Sequence, residues 1–326
     1  MTVIFIGTGE IGAPVLRWLI EHSGHQVVAV VCQPDKPVGR RQTMTAPVTK
    51  QVALASGVPV LQPEKINDAA AVEAVLAWQA DLMVVMAYGQ FLPKRIREGA
   101  RLGCINLHAS LLPRWRGASP IQSALAAGDA ETGVTVMRVV REMDAGEMIL
   151  AGKIPIAAEE TGQSLHDRLA ELAPLVLERA LPLLEAGTAP SLVQPAPLVT
   201  HCAKLTRDAG RLDWSRPAVE LERLIRAYDP WPGTHTLLPS PWGGRILKVF
   251  PPVRVVSQGG AAAAVVHPGE ILAVDRTTVT VAAGSDALML HSLQTEGQKR
   301  LMVREFLAGT RLAVGQVLGQ AAAGAE

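Results

Sequence analysis

From residue 3 onward the chain alternates two hydrophobic rhythms. Val3-Ile4-Phe5-Ile6-Gly7 is a short apolar run, and comparable β-rich stretches recur at Gln26–Cys32, Asp81–Ala87, Gly103–Leu107, Thr132–Val140 and Met148–Ile156. Such runs predict buried strands. Between them, Pro14–His22, Val48–Ser56, Ala69–Gln79 and Pro120–Ala127 carry helical spacing, and Ser164–Ala186 extends it over a long segment. Strands alternating with helices predict βαβ units and an open, mostly parallel, Rossmann-like α/β sheet over residues 1–187.

The grammar changes after that. Residues 188–207, with Pro190, Pro195 and Pro197, read as a linker. One helix, Pro217–Tyr228, then precedes short strands at Thr234–Leu238, Arg245–Val249, Glu270–Val274, Thr278–Ala282 and Leu288–Ser292. Several short strands split by Gly-rich turns predict a small β-barrel of the oligonucleotide-binding (OB-like) sort over 208–318, with a sandwich as the alternative. An Ala/Gly-rich tail, 319–326, is expected to fray. No internal repeat is visible.

Composition narrows the class. With 326 residues, 48% of them apolar, each half has material for its own core. A net charge of +1 argues against a broad, non-specific nucleic-acid binder, while a slight basic surplus beyond residue 200 suits an anionic partner. Cys32, Cys104 and Cys202 are odd in number and far apart, so neither a disulfide framework nor a zinc ribbon is expected. No apolar run approaches the ~18 residues of a membrane span, and the first residues carry no basic leader. A cytoplasmic enzyme without a membrane or metal partner is the expectation. No pattern marks an oligomer interface, and a monomer is expected.

One motif invites a different reading. Gly7-Thr8-Gly9-Glu10-Ile11-Gly12 fits G-x-G-x-x-G after a strand and before a helix, the context of a dinucleotide fingerprint. The acid that should close the second strand is displaced, because Val31-Cys32-Gln33-Pro34 intervenes before Asp35 and Pro34 imposes an extended turn. Glycines serving a tight strand-to-helix turn are the favoured explanation. A nicotinamide oxidoreductase remains a rival.

The chemistry concentrates in Gly103–Ile121. Asn106 and His108 lie two apart on a strand, so both side chains leave one face, about 6.5–7 Å apart, at the end where open α/β sheets place ligands. Ser110-Leu111-Leu112-Pro113, Arg116-Gly117 and Ser119-Pro120 form the loop that follows, and Pro120 opens a helix. Downstream, Met143-Asp144-Ala145-Gly146 supplies an acid beside a glycine. An amide, an imidazole and a carboxylate suit acyl transfer without a covalent intermediate. No Gly-x-Ser-x-Gly elbow is present, and one His with one Asp is too few ligands for a metal. A satisfied structural Asn and His is the bland alternative.

On these residues the chain resembles the formyltransferases that use 10-formyltetrahydrofolate. The resemblance rests on Asn106–Pro113, Arg116-Gly117 and Met143–Gly146, and it implies that Asn106, His108 and Asp144 form the active site. By the same resemblance Ser110, Leu111, Leu112 and Pro113 line the folate loop, and Tyr88, Gly89, Gln90, Phe91 and Leu92 the pterin pocket. Gln33–Arg40, Lys204-Leu205-Thr206, Arg211–Trp214 and Ile225–Gly233 are similar to the members that act on initiator methionyl-tRNA, so the likeness runs over about residues 3–311. In those members the Arg40 loop reaches the acceptor stem. Candidate phosphate contacts are Arg40, Arg41, Arg245, Lys248, Lys299, Arg300 and Arg304. The chain departs from the family's usual Gly-Thr-Pro-like turn at Gly7-Thr8-Gly9 and has fewer lysines after Arg40 than expected.

The residues then suggest a mechanism. Amine attack turns a formyl oxygen into an oxyanion, which Asn106 and His108 would stabilise as donors. Asp144, within reach of the ring, would favour its charged form. Three rivals stand below this reading: a formyltransferase for a nucleotide-linked amino sugar, the oxidoreductase above, and a non-catalytic RNA-binding module.

Overall fold

The computed structural model describes residues 1–39, 42–239, 241–258 and 266–320. In chain order its strands are β1 (Thr2–Gly7), β2 (Gln26–Val31), β3 (Lys36–Val38), β4 (Thr43–Thr45), β5 (Val60–Leu61), β6 (Leu82–Met86), β7 (Cys104–His108), β8 (Arg116–Gly117), β9 (Glu131–Arg138), β10 (Met148–Pro155) and β11 (His201–Cys202), then β12 (Thr234–Leu237), β13 (Ile246–Val256), β14 (Ile271–Val274), β15 (Val279–Ala282), β16 (Ala287–Thr295) and β17 (Leu301–Met302). The helices are α1 (Ala13–Glu21), α2 (Val48–Ala55), α3 (Ala69–Leu76), α4 (Lys94–Arg97), α5 (Pro120–Ala127), α6 (Gly162–Glu185), α7 (Ala218–Ala227) and α8 (Val303–Gly309). They fall into two compact units, one of residues 1–120, 131–155 and 166–203, the other of 121–130, 156–165 and 204–326.

The first unit is built on a seven-stranded sheet in the order β10-β9-β7-β6-β1-β2-β5. The pairs from β7 through β5 are parallel; β9 runs antiparallel to both β7 and β10. All of β6 and all but the first residue of β1 are buried, which is why those strands read as unbroken apolar runs. At the edge, β10 alternates half-buried with exposed positions from Leu150 onward. Strand order reverses between β1 and β6, the place where such sheets take ligands at the strands' carboxyl ends. The loops following β6 and β7 hold the sequence-predicted site.

Short pieces escaped the hydrophobic pattern. Every residue of strands β3 and β4 is exposed, and β5, β8 and β11 are each two residues long. The segment read as a linker contains β11, which pairs with β8, and residues 188–203 fold within the first unit.

The second unit wraps an antiparallel sheet, β12-β13-β16-β15-β14 with β17 beside β16, around a core of Trp214, Leu221, Ile225, Leu247, Val281, Leu290 and Phe306. The strand expected at Arg245–Val249 is instead eleven residues long, because it runs on through Pro251 and Pro252. The register shifts between Phe250 and Val253, and a bulge is where prolines fit inside a sheet. The chain end bridges the outer strands: Leu318 N–H donates to Gly269 O at 2.8 Å and Gly319 N–H to Leu237 O at 2.9 Å. The tail expected from residue 319 is thus bonded at its first residue. Residues 321–326 lie outside the described ones.

Candidate active site

The glycine fingerprint is accounted for by packing. A Cβ on Gly7 would lie 2.5 Å from Met86 O, and one on Gly12 3.0 Å from Phe5 Cζ. The N–H groups of Thr8 and Gly9 both donate to Ala87 O, so they face the β6 loop instead of an incoming phosphate. Asp35 is held elsewhere, by Lys50 at 2.9 Å and Gln62 at 2.8 Å. Glycine at these positions buys close approach between the β1 and β6 turns.

At the carboxyl end of β7, His108 is 6% exposed and Asn106 half-buried. His108 Nε2 lies 2.9 Å from the carbonyl oxygen of Trp115. A carbonyl only accepts, so Nε2 carries the hydrogen. The other ring nitrogen, Nδ1, lies 3.7 Å from Asp144 Oδ2, with both side chains largely shielded from solvent. Each ring nitrogen therefore faces an oxygen acceptor. The Asn106 amide makes no hydrogen bond among the described residues, leaving an uncommitted donor on the face it shares with His108.

Asp144 is fixed from several sides. It occupies the left-handed region, φ 50°, which Asp tolerates better than most residues. Its Oδ2 accepts the Gly117 N–H at 2.8 Å. Gly146 is required for closeness more than for flexibility: a Cβ there would meet Arg138 O at 1.7 Å. Trp115 is also left-handed, φ 62°, and its N–H donates to Thr200 Oγ1 at 2.9 Å.

The predicted folate residues divide into committed and open ones. Ser110 is fully buried and donates to Arg114 O at 2.6 Å; Leu112 N–H donates to Thr135 Oγ1 at 3.1 Å. Leu111 and Pro113 are half-buried. In the β6 loop, Gln90 is spent on Ile66 N–H and Glu64 O, and Leu92 packs against the core. Tyr88 is buried, its hydroxyl has no partner among the described residues, and burial followed by the nearby Cys32 pushes it up to about 12. Gly89 has φ 84°, and Phe91 is 68% exposed, presenting an aromatic face.

Of the predicted phosphate contacts, Arg40 and Arg41 lie outside the described residues. Arg245, Lys248, Lys299 and Arg304 are exposed. Arg300 is committed as well as exposed: it donates to Ser292 Oγ at 2.8 Å and Pro251 O at 2.7 Å, and it stacks over Phe250 at 4.4 Å. Among the described residues no three His, Cys, Asp or Glu side chains are grouped to hold a metal. No helix there is long and apolar enough to cross a membrane.

Gln194 was missed by the sequence reading. It is 6% exposed, donates to Asp144 O and Gly146 O at 2.8 Å each, and accepts from Arg116 Nε at 2.9 Å. A lone Gln in a Pro-rich stretch carries no spacing that could have flagged it.

The first unit is thus a Rossmann-like sheet whose loops bring an amide, an imidazole and a carboxylate together, and the second is an antiparallel β unit. Residues 1–181 match the formyl transferase family and residues 204–311 the formyl transferase C-terminal domain; the chain belongs to that family. Within it, the chain is 47% identical over 324 residues to a methionyl-tRNA formyltransferase of Pseudomonas fluorescens, covering 99% of this chain and 98% of that one. It is 44% identical to the methionyl-tRNA formyltransferase of Akkermansia muciniphila, covering 95% and 96%. Among solved structures, an N-formyltransferase from Helicobacter canadensis, bound to folinic acid and dTDP-3-aminofucose, shares the fold. Its TM-score is 0.60 at 13% identity, over 90% of this chain and 98% of that one.

Proposed function

We propose that this chain transfers the formyl group of 10-formyltetrahydrofolate to the amino group of methionyl-tRNA. The observation that carries the reading is end-to-end likeness: both units match, at close to half identity, relatives named for that reaction. The Helicobacter canadensis N-formyltransferase bound to dTDP-3-aminofucose shares the fold at only 13% identity, so it favours no second reading.

In this reading Asn106 uses its uncommitted amide to donate to the formyl oxygen as negative charge develops there, an interaction worth a few kcal/mol in comparable sites. His108 is poised beside it, its Nε2–H given to the Trp115 carbonyl until a better acceptor arrives. Asp144 stabilises positive charge on the ring. The amine's lone pair forms the new C–N bond, the bond from the formyl carbon to N10 breaks, and the proton lost by the amine is taken up at N10. Phe91, with the half-buried Leu111 and Pro113, offers apolar surface suited to the pterin. Exposed Arg245, Lys248, Lys299 and Arg304, with Arg40 and Arg41, would supply charge for the RNA backbone. Arg300 keeps a place in that set while also bracing the β13–β16 pair.

The test incubates the protein with 10-formyltetrahydrofolate and methionyl-tRNA, alongside free methionine, uncharged tRNA and a dTDP-linked amino sugar. Formylation of the charged tRNA alone is expected. Equal efficiency on free methionine, or preference for the sugar nucleotide, would overturn the assignment.

A further inference from the structure

The stretch between the two family matches, residues 182–203, is stitched to both loops that define the site. Midway along it, Leu192 and Met148 exchange backbone hydrogen bonds at 2.9 and 3.0 Å, and Ser191 donates to Glu147. Near its end, Arg116 N–H donates to Thr200 O at 2.9 Å, β11 pairs with β8, and Ser119 Oγ donates to Ala203 O at 2.6 Å. A Cβ on Gly117 would sit 2.1 Å from Cys202 O, so the contact is close enough to exclude any side chain at that position. Between these ties sits Gln194, the side chain that touches both loops at once.

Its three hydrogen bonds are directional. The amide nitrogen has two hydrogens, and both are used, on Asp144 O and Gly146 O. The amide oxygen takes Arg116 Nε–H, one residue before the Gly117 N–H that Asp144 itself accepts. Neither Glu, which lacks the donors, nor Met, which lacks donors and a strong acceptor, reproduces this pattern. The two accepting carbonyls belong to Asp144, whose carboxylate faces His108, and to Gly146 two residues on, and Asp144 holds a backbone conformation that needs support from its surroundings.

We propose that Gln194 is a positioning residue for formyl transfer: it clamps the Asp144–Gly146 loop to Arg116 and thereby sets the distance between the Asp144 carboxylate and the His108 ring. The proposal rests on the functional reading above for its kinetic arm and on geometry alone for its structural arm. It acts through Asp144 and touches no substrate.

The experiment uses the full chain with Gln194→Met, Gln194→Glu and Asp144→Asn, and with Gln194→Met combined with Asp144→Asn. Gln194→Met is expected to lower kcat about 10- to 100-fold, as a misplacement of ~1 Å does, with KM for both substrates within about twofold. In the Asp144→Asn background the same change should cost less than about twofold, because the group it positions has lost its charge. Gln194→Glu keeps the acceptor for Arg116 and serves if Gln194→Met fails to fold; the same loss of kcat is expected. Amide hydrogen exchange of Gly117, relative to Leu107 in β7, should accelerate in either variant. A kcat within about twofold of wild type, an equal loss in both Asp144 backgrounds, or unchanged Gly117 exchange would each overturn the proposal. A wild-type protein that formylates no methionyl-tRNA would defeat the functional reading instead, and Gly117 exchange would still decide this one.

Discussion

Asp144→Asn isolates a charge from a scaffold. The native carboxylate does two things: Oδ2 accepts the Gly117 N–H at 2.8 Å, and it faces His108 Nδ1 at 3.7 Å. Asn keeps an oxygen for Gly117 and tolerates φ 50° at least as well as Asp, so folding should survive. What disappears is the attraction between a carboxylate and positive charge on the ring. At 3.7 Å and an effective dielectric of ~20, Coulomb's law gives about 4 kcal/mol. Both side chains are shielded, with 7% and 15% exposure, so little of that is lost to solvent. If the charge is fully developed in the transition state, the variant loses about 10³ in kcat; with half of it developed, about 30-fold. Ala would be a poorer probe, because it also strands the Gly117 N–H at a further cost of about 1–3 kcal/mol in stability. The assay is kcat at saturating 10-formyltetrahydrofolate and methionyl-tRNA, alongside a thermal melt. A kcat within threefold of wild type, with an unchanged Tm, would refute an electrostatic role for Asp144. A change confined to KM would move it from catalysis to binding.

Asn106→Ala, which removes the uncommitted donor, should cut kcat by at least ~10² with Tm nearly unchanged; turnover near wild type in the folded variant removes Asn106 from the mechanism. Burial pushes the Cys104 thiol up to about 12 and the Cys32 thiol up to about 11, the latter opposed by Lys50, so native protein at pH 8 should react slowly with Ellman's reagent and release three thiols once unfolded. Rapid titration of Cys32 or Cys104 in the native state would contradict their burial. Asp81 is held down to about 2, first by the Thr2 N–H and then by Arg101. A carboxyl depressed on folding stabilises above its unfolded value near 4 and loses that contribution as pH falls towards 2. The Tm gap between wild type and Asp81→Asn should therefore be open at pH 7 and close between pH 4 and 2; a gap independent of pH would refute it. If Arg245, Lys248, Lys299 and Arg304 each meet a phosphate, tRNA affinity should fall on the order of 10²-fold between 50 and 200 mM salt, and affinity insensitive to salt would exclude them.

What the sequence made legible follows from what repeats along a chain. Buried central strands such as β1 and β6 are apolar at nearly every position, so periodicity finds them. Asn106 and His108 were legible because a strand's two-residue repeat puts them on one face whatever lies around them. Asp144 required more, since nothing local to residues 141–148 says that its carboxylate returns to His108; the family resemblance supplied that expectation. Elements two residues long, such as β8 and β11, carry no period at all. They exist because Trp115 and Arg116 are tied to Thr200 across more than eighty residues of sequence. Proline-bearing stretches departed from expectation at two places. The strand expected at Arg245–Val249 continues through Pro251 and Pro252 at a bulge, while residues 188–207, read as a linker on Pro190, Pro195 and Pro197, include β11, which pairs with β8. Proline reports a missing N–H and a fixed φ, and it is silent on whether the remaining backbone groups find partners. In residues 191–203 several do: Leu192 bonds Met148, Thr200 bonds Pro113 and Arg116, and Cys202 bonds Ala118. A segment that composition alone would dismiss is thus bonded to the loops carrying Asp144 and Arg116, and on the proposed role of Gln194 that is where changes remote from Asn106, His108 and Asp144 should be felt most strongly in turnover.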